Sequence, residues 1–193
     1  MTIEKTPLEG CFVIEPNVFQ DERGYFMESF NTKKFTQAIG QEVAFVQDNQ
    51  SFSSRGVLRG LHFQRGKYAQ AKLVRVLSGK VLDAVVDLRK DSKTFGEHLT
   101  MELSAENKKQ LYIPRGLAHG FVVLSETAEF FYKCDNYYHK AAEGGILYND
   151  PSIGIDWQLK KEELTISAKD LELPEFQKLG LYHPELENRH GNH

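Results

Sequence analysis

The chain has 193 residues, of which 40% are hydrophobic and 26% charged, and its formal net charge is -3. That balance predicts one globular domain over residues 1–193 with a real core, and the lack of a basic excess argues against nucleic acid as a partner. No apolar run approaches the ~20 residues of a membrane span. The first nine residues lack an apolar leader, and Cys11 and Cys134 lie far apart. The expectation is therefore a cytoplasmic protein with two buried free thiols.

In chain order, Gly10 to Glu15 reads as a strand stopped by Pro16-Asn17. Phe19 to Gly24 reads as a polar turn, and Tyr25 to Phe30 as a short strand with Phe26, Glu28 and Phe30 on one side. Asn31 is placed to cap a helix carrying Phe35 and Ile39, which Gly40 would end. Val43 to Val46 leads into the amide-rich Gln47-Asp48-Asn49-Gln50, and Ser51 to Gly56 reads as loop.

Next comes Gly56-Val57-Leu58-Arg59-Gly60-Leu61-His62-Phe63-Gln64, where strict alternation puts Leu61 and Phe63 on one face and Gly60, His62 and Gln64 on the other. Lys72 to Leu77 and Val81 to Leu88 read as two strands of a hairpin turned at Ser78-Gly79-Lys80. In the second of them, Leu82, Ala84, Val86 and Leu88 share one face and Val81, Asp83, Val85 and Asp87 the other. Further strands are expected at Phe95 to Leu103, Gln110 to Ile113, Ala118 to Leu124, Ala128 to Asn136 and Ile146 to Asn149. Turn signals about every ten residues favour a mainly β sandwich or barrel over βαβ units. Trp157 and Leu159 would close the core, Ser167 to Asp170 reads as a polar loop, and Pro174 to Leu181 as one helical turn. Residues 185–193 read as a frayed tail.

Seven histidines make a metal site the first chemistry to test. His183, His190 and His193 fall in the weakly patterned C-terminal stretch, and His98 and His139 sit among charges. His62 and His119 remain, each inside an apolar strand pattern, but without a nearby second histidine or carboxylate they make a poor ligand set. Acid–base chemistry suits them better. An imidazole titrates near neutrality and serves as a base, although a lone histidine in a barrel is as readily a hydrogen-bonded core residue. A carboxylate such as Asp170 or Asp83 would fix its tautomer, and an inward Asp83 would need a partner. Tyr132 keeps its phenol proton at neutral pH and can give it to a strong base; Lys72 can stabilise an enolate oxygen. Arg23, Arg59 and Lys169 could pair with phosphates, with amides from Gln47 and Asn49, while Phe19, Phe26 and Tyr138 could sandwich a base or sugar. No glycine pattern of the dinucleotide-binding or phosphate-loop kind is present.

The motifs "FQDERGYFMESF", "QDNQSFS", "GVLRGLHFQ", "AKLVRVLSGKVLDAVVDLR", "YIPRGLAHGF" and "YKCDNYY", in this order, resemble the dTDP-4-dehydrorhamnose 3,5-epimerases of the cupin-like superfamily. The resemblance runs from Gly10 to Asp170. It implies a cupin-like jelly roll or β-barrel with short peripheral helices, a homodimer that exchanges N-terminal strands, and chemistry with no metal or organic cofactor. It implies His62 as base with Asp170 orienting it, Tyr132 as acid, and Lys72 and His119 lining the sugar pocket. Arg23, Glu28, Gln47, Asn49, Arg59, Glu143 and Lys169 match the family's nucleotide-sugar contacts; Phe19, Phe26 and Tyr138 match its aromatic contacts, some reaching across the dimer. Three rival readings are an epimerase of a single centre or ketoisomerase, a non-catalytic sugar-binding module, and a metal-dependent oxygenase of the same fold.

Overall fold

The computed structural model describes residues 1–179; His183, His190, His193 and the expected tail at 185–193 lie outside the described residues. Among the described residues fourteen strands are formed: β1 (Thr2–Lys5), β2 (Phe12–Glu15), β3 (Val18–Asp21), β4 (Gly24–Met27), β5 (Gln47–Ser54), β6 (Val57–Gln64), β7 (Lys72–Ser78), β8 (Lys80–Asp87), β9 (His98–Ser104), β10 (Gln110–Ile113), β11 (Leu117–Val123), β12 (Thr127–Cys134), β13 (Glu143–Gly145) and β14 (Thr165–Ile166). Two short α-helices, α1 (Thr32–Ile39) and α2 (Ala168–Leu171), sit at the periphery.

Twelve of the strands form two sheets. One runs β1-β2-β10-β7-β12-β5; the other runs β13-β6-β11-β8-β9, with β14 added in parallel alongside β6. Between the sheets lies an apolar layer that includes Val13, Val74, Val76, Val81, Val85, Leu103, Leu111, Phe121 and Phe130. Leu58, Leu61, Phe63, Leu82, Ala84 and Val86 point the other way from the second sheet, under Ile146, Tyr148, Ile153 and Trp157 of the C-terminal segment. β8 is thus covered on both faces, which is why it reads as an almost unbroken apolar run. The two faces assigned to it by alternation are the two faces observed.

The helix α1 follows its sequence signals. Asn31 accepts a hydrogen bond from the Lys34 amide at its start, and Gly40 closes it in the left-handed region, φ 75°. Its buried Phe35 packs among Phe30, Phe45 and Tyr112, covering the outer face of the first sheet.

Five expectations are corrected. Phe19-Gln20-Asp21 is strand rather than turn: β3 and β4 form a separate two-stranded hairpin whose tip is Glu22-Arg23, and β4 ends at Met27. β5 extends through Ser54, where a loop was expected; as an edge strand with one side exposed it needs few apolar residues. The turn at Gly79 does not make a hairpin, because β7 pairs with β10 and β12 whereas β8 pairs with β9 and β11. The chain there crosses from one sheet to the other. Glu143–Gly145 is the strand near position 146, and Ile146 instead donates to and accepts from Leu61 across that strand's end. Finally, Ser167 to Asp170 is the start of α2, capped by the Ser167 hydroxyl accepting from the Asp170 amide.

Candidate active site

A cavity of about 660 Å³ opens at one end of the sandwich, within the size range of small-molecule sites. The first sheet supplies Asn49 from β5, Lys72 from β7 and Phe130 and Tyr132 from β12. The second supplies Arg59 and His62 from β6 and His119 from β11. Lys169 and Asp170 of α2 complete the wall.

Arg59 and His62 are three residues apart, and strict strand alternation would send them to opposite faces. Both reach the cavity because β6 carries one extra residue against β11: His119 faces His62, but Phe121 faces Arg59. The bulge re-aims the side chain after it. It also brings two backbones together. A Cβ on Gly60 (φ 127°) would lie 2.6 Å from the Gly120 Cα, and one on Gly120 would lie 2.7 Å from the Arg59 carbonyl oxygen. Only glycine fits at either position.

Asp170 reaches His62 through the parallel pairing of β14 with β6, in which Ile166 faces Leu58. Ser167 then caps the next turn, and the buried Asp170 carboxylate lies 2.7 Å from His62 Nε2 while its second oxygen accepts from the Gly60 amide at 3.2 Å. Burial by itself would raise the Asp170 carboxyl, but the His62 hydrogen bond and charge, the Gly60 amide and Lys169 hold it below the ordinary carboxylate range. An ionised Asp170 accepts a hydrogen bond from the Nε2–H of His62, which leaves Nδ1 as the nitrogen without a proton.

Across the cavity, Tyr132 is pushed up by burial, with Arg59 opposing, so its phenol holds its proton at neutral pH. Lys72 Nζ lies 5.8 Å from the centre of the Tyr132 ring. Burial lowers the Lys72 ammonium, opposed by the carboxylates of Asp83 and Glu143. His119 is 7% exposed and its Nε2 is 2.8 Å from Asp83, so the inward Asp83 does find the partner it needs. Arg59 Nε donates to Ser53 Oγ at 3.1 Å, which orients the guanidinium.

At the rim, Glu143 accepts from Lys169 Nζ at 2.6 Å and from the Tyr138 hydroxyl at 3.1 Å. Gln47 donates to Asn49 and accepts from the Tyr138 amide. Four expected contact residues are not brought to this cavity. Arg23 pairs with Asp21 at the hairpin tip, Glu28 accepts from Lys34 and Asn31, and Phe19 and Phe26 face each other on the hairpin, 64% and 69% exposed. His98 and His139, which sit among charges, are exposed. Cys11 and Cys134 are buried free thiols, raised by burial to about 12 and about 11. Among the described residues no group of three or more His, Cys, Asp and Glu gathers as a metal site, and no helix is long and apolar enough to cross a membrane. The sequence reading missed Ser53 and Ser167, which position Arg59 and Asp170. The Ser-x-x-Asp spacing at 167–170 was a legible cap signal; nothing local marks Ser53.

A family model described as dTDP-4-dehydrorhamnose 3,5-epimerase matches residues 5–178. The chain is 55% identical over 174 residues to the dTDP-4-dehydrorhamnose 3,5-epimerase of Salmonella typhimurium, covering 90% of this chain and 94% of that one. Among solved structures it resembles the enzyme of that name from Elizabethkingia anophelis (58% identity, TM-score 0.89, 92% of this chain and 97% of that chain). It also resembles the dTDP-6-deoxy-D-glucose-3,5-epimerase of Legionella pneumophila in complex with dTDP-4-keto-L-rhamnose (46% identity, TM-score 0.87, 91% and 93%).

Proposed function

Because the chain belongs to the dTDP-4-dehydrorhamnose 3,5-epimerase family, an isomerase family of cupin-like fold, we propose that its cavity inverts C3 and C5 of dTDP-4-keto-6-deoxy-D-glucose to give dTDP-4-keto-L-rhamnose. The observation that carries the reading is the placement of His62, bonded to Asp170 of α2, on one sheet and Tyr132 with Lys72 on the other, across one cavity. A flat enolate between the sheets presents one face to the base and the opposite face to the acid.

The C4 ketone acidifies the hydrogens on C3 and C5, since either carbanion delocalises onto the carbonyl oxygen. His62 Nδ1 takes a proton from one carbon, and its positive charge is balanced by Asp170. Lys72 stabilises the oxyanion. Tyr132 delivers its phenol proton to the opposite face of the same carbon, inverting it; exchange with solvent then returns a proton to Tyr132 and removes one from His62. A turn of the ring brings the second carbon to the same pair. General acid–base transfer contributes about 3–5 kcal/mol and oxyanion stabilisation about 3–4 kcal/mol to the lowering of the barrier.

Arg59 and Lys169 hold the diphosphate, Gln47 and Asn49 supply amides, His119 and Glu143 bind the sugar side, and Tyr138 stacks on the base. Arg23, Glu28, Phe19 and Phe26 serve the cavity of a second copy, because the exposed β3–β4 hairpin carries them away from their own. A homodimer follows, with β1, the edge strand of the first sheet, open to exchange. The two buried thiols fit a reducing cytoplasm.

Proton NMR of dTDP-4-keto-6-deoxyglucose with the protein in deuterated water tests the reading. The wild type is expected to place deuterium at both carbons and form the L-rhamno product. His62→Ala should stop exchange at both, and Tyr132→Phe should keep some exchange while losing inversion. Full exchange in His62→Ala, or normal product from Tyr132→Phe, would remove that residue from its role.

A further inference from the structure

Gln64 stands two residues beyond His62 on β6, on the same face by the two-residue period of a strand. It is 7% exposed and does not line the cavity. Its side-chain oxygen accepts from the His139 amide at 3.0 Å. The preceding amide, that of Tyr138, is held in the same way by another glutamine: Gln47 Oε1 accepts from it at 3.0 Å. Gln47 belongs to β5 in the first sheet and Gln64 to β6 in the second. Two neighbouring amides of one rim segment are thus gripped from both sheets.

Gln64 also holds the far end of that segment. Its backbone faces Glu143 in the pairing of β13 with β6, and between His139 and Glu143 the chain makes a single 3-10 turn, Lys140–Ala142. One residue fixes both ends of the turn, and the closure brings the Tyr138 hydroxyl onto Glu143 Oε2 at 3.1 Å. Before the turn, Asn136 Nδ2 donates to the Lys67 carbonyl at 2.9 Å and Gln70 Nε2 donates to the Asn136 carbonyl at 2.8 Å. The His139 ring stacks on Tyr68, centroids 4.0 Å apart. Tyr138 itself is 50% exposed, so core packing does little to aim its ring and the backbone must do so.

Resting on the reading of the cavity as a nucleotide-sugar site, we infer that Gln64 is a positioning residue for the nucleotide end of the substrate: with Gln47 it clasps the 138–139 amides and presets Tyr138 for the base. A ring already aimed loses less freedom when the base stacks on it, and the difference appears as affinity. The base lies away from C3 and C5, so its contact is the same in the ground state and the transition state. Gln64 therefore acts on KM and leaves kcat alone. An amide oxygen suits the place. A carboxylate could take the same N–H, but it would add a negative charge beside Glu143, where a diphosphate must approach Lys169.

The test is calorimetric binding of dTDP together with steady-state kinetics on dTDP-4-keto-6-deoxyglucose, in Gln64→Met, Tyr138→Ala and the double variant. Methionine keeps the length and flexibility of glutamine and removes the acceptor. Gln64→Met is expected to weaken dTDP binding and raise KM by about 3- to 10-fold, with kcat within about twofold of wild type. In the Tyr138→Ala background the same change should alter affinity by less than about twofold, since no ring is left to aim. Unchanged affinity in a folded Gln64→Met overturns the inference, as does an equal loss in both backgrounds or a fall in kcat with KM unmoved. Should Gln64→Met fail to fold, Gln64→Asn decides: it keeps the amide but draws the oxygen back by one methylene, so the same losses are expected and unchanged affinity overturns the inference. A wild type that binds dTDP but leaves the keto sugar unaltered overturns epimerisation alone. One that binds no dTDP overturns the nucleotide-sugar reading and this inference with it.

Discussion

Replacing Asp170 by asparagine is the most discriminating perturbation of the base. The carboxylate serves two donors at once, His62 Nε2 at 2.7 Å and the Gly60 amide at 3.2 Å, one on each oxygen. An amide side chain has only one oxygen to offer. If it stays on the Gly60 amide, the new NH₂ faces His62 Nε2 and drives the imidazole proton to Nδ1, where the base must be empty. If the amide turns over, His62 keeps its tautomer but NH₂ is pressed against the Gly60 N–H, leaving a buried donor unpaired at a cost of about 1–3 kcal/mol. The loss of the charge-assisted bond removes a further ~1.5–3 kcal/mol from the imidazolium formed in the transition state. Together these correspond to a fall in kcat of about 10²–10⁴-fold. Substrate binding should change little, because Asp170 acts through His62. The assay is kcat with deuterium uptake at both carbons, alongside a thermal melt to show that the variant is folded. A folded Asp170→Asn that turns over within about threefold of wild type would refute the reasoning, since no tautomer argument could then be sustained.

Two further predictions concern the geometry around that base. Gly120→Ala sets a methyl 2.7 Å from the Arg59 carbonyl oxygen and 3.1 Å from the Gly60 Cα, backbone atoms that cannot turn aside. We expect a loss of about 1–3 kcal/mol, read as a drop of several degrees in melting temperature, with Arg59 and His62 displaced and activity reduced; an unchanged melt would show that the bulge is not tight. Phe26→Ala, on the exposed hairpin, should leave the melt unchanged while raising KM about tenfold in a species of two copies by light scattering; a single-copy mass with normal kinetics would remove the hairpin from the site.

Much of the chemistry was legible in one dimension because local rules carry it. Asn31 and Gly40 bracket α1 since a capping side chain and a positive φ are demands of the helix ends themselves. The two faces of β8 follow from the two-residue period of an extended chain, which placed Asp83 inward before any partner was known. His62, Lys72 and Tyr132 stand out as a proton-transfer set from residue chemistry, and the family motifs that contain them span nearly the whole chain. The polar β5 was not legible, because an edge strand with an exposed side shows no apolar signal.

Tertiary structure alone decided how those residues meet. Alternation within β6 separates Arg59 from His62; the register slip against β11 reunites them, and a slip is a property of two strands rather than one. The turn at Gly79 looks like a hairpin locally, yet its flanking strands pair in different sheets, so that His62 and Tyr132 line one cavity from opposite sheets. Asp170 lies more than a hundred residues from His62 and reaches it only through the pairing of β14 with β6. The sequence by itself determined which groups could move a proton. Long-range pairing, whose energetics depend on partners distant in the chain, decided which of them share one cavity and from which side each approaches.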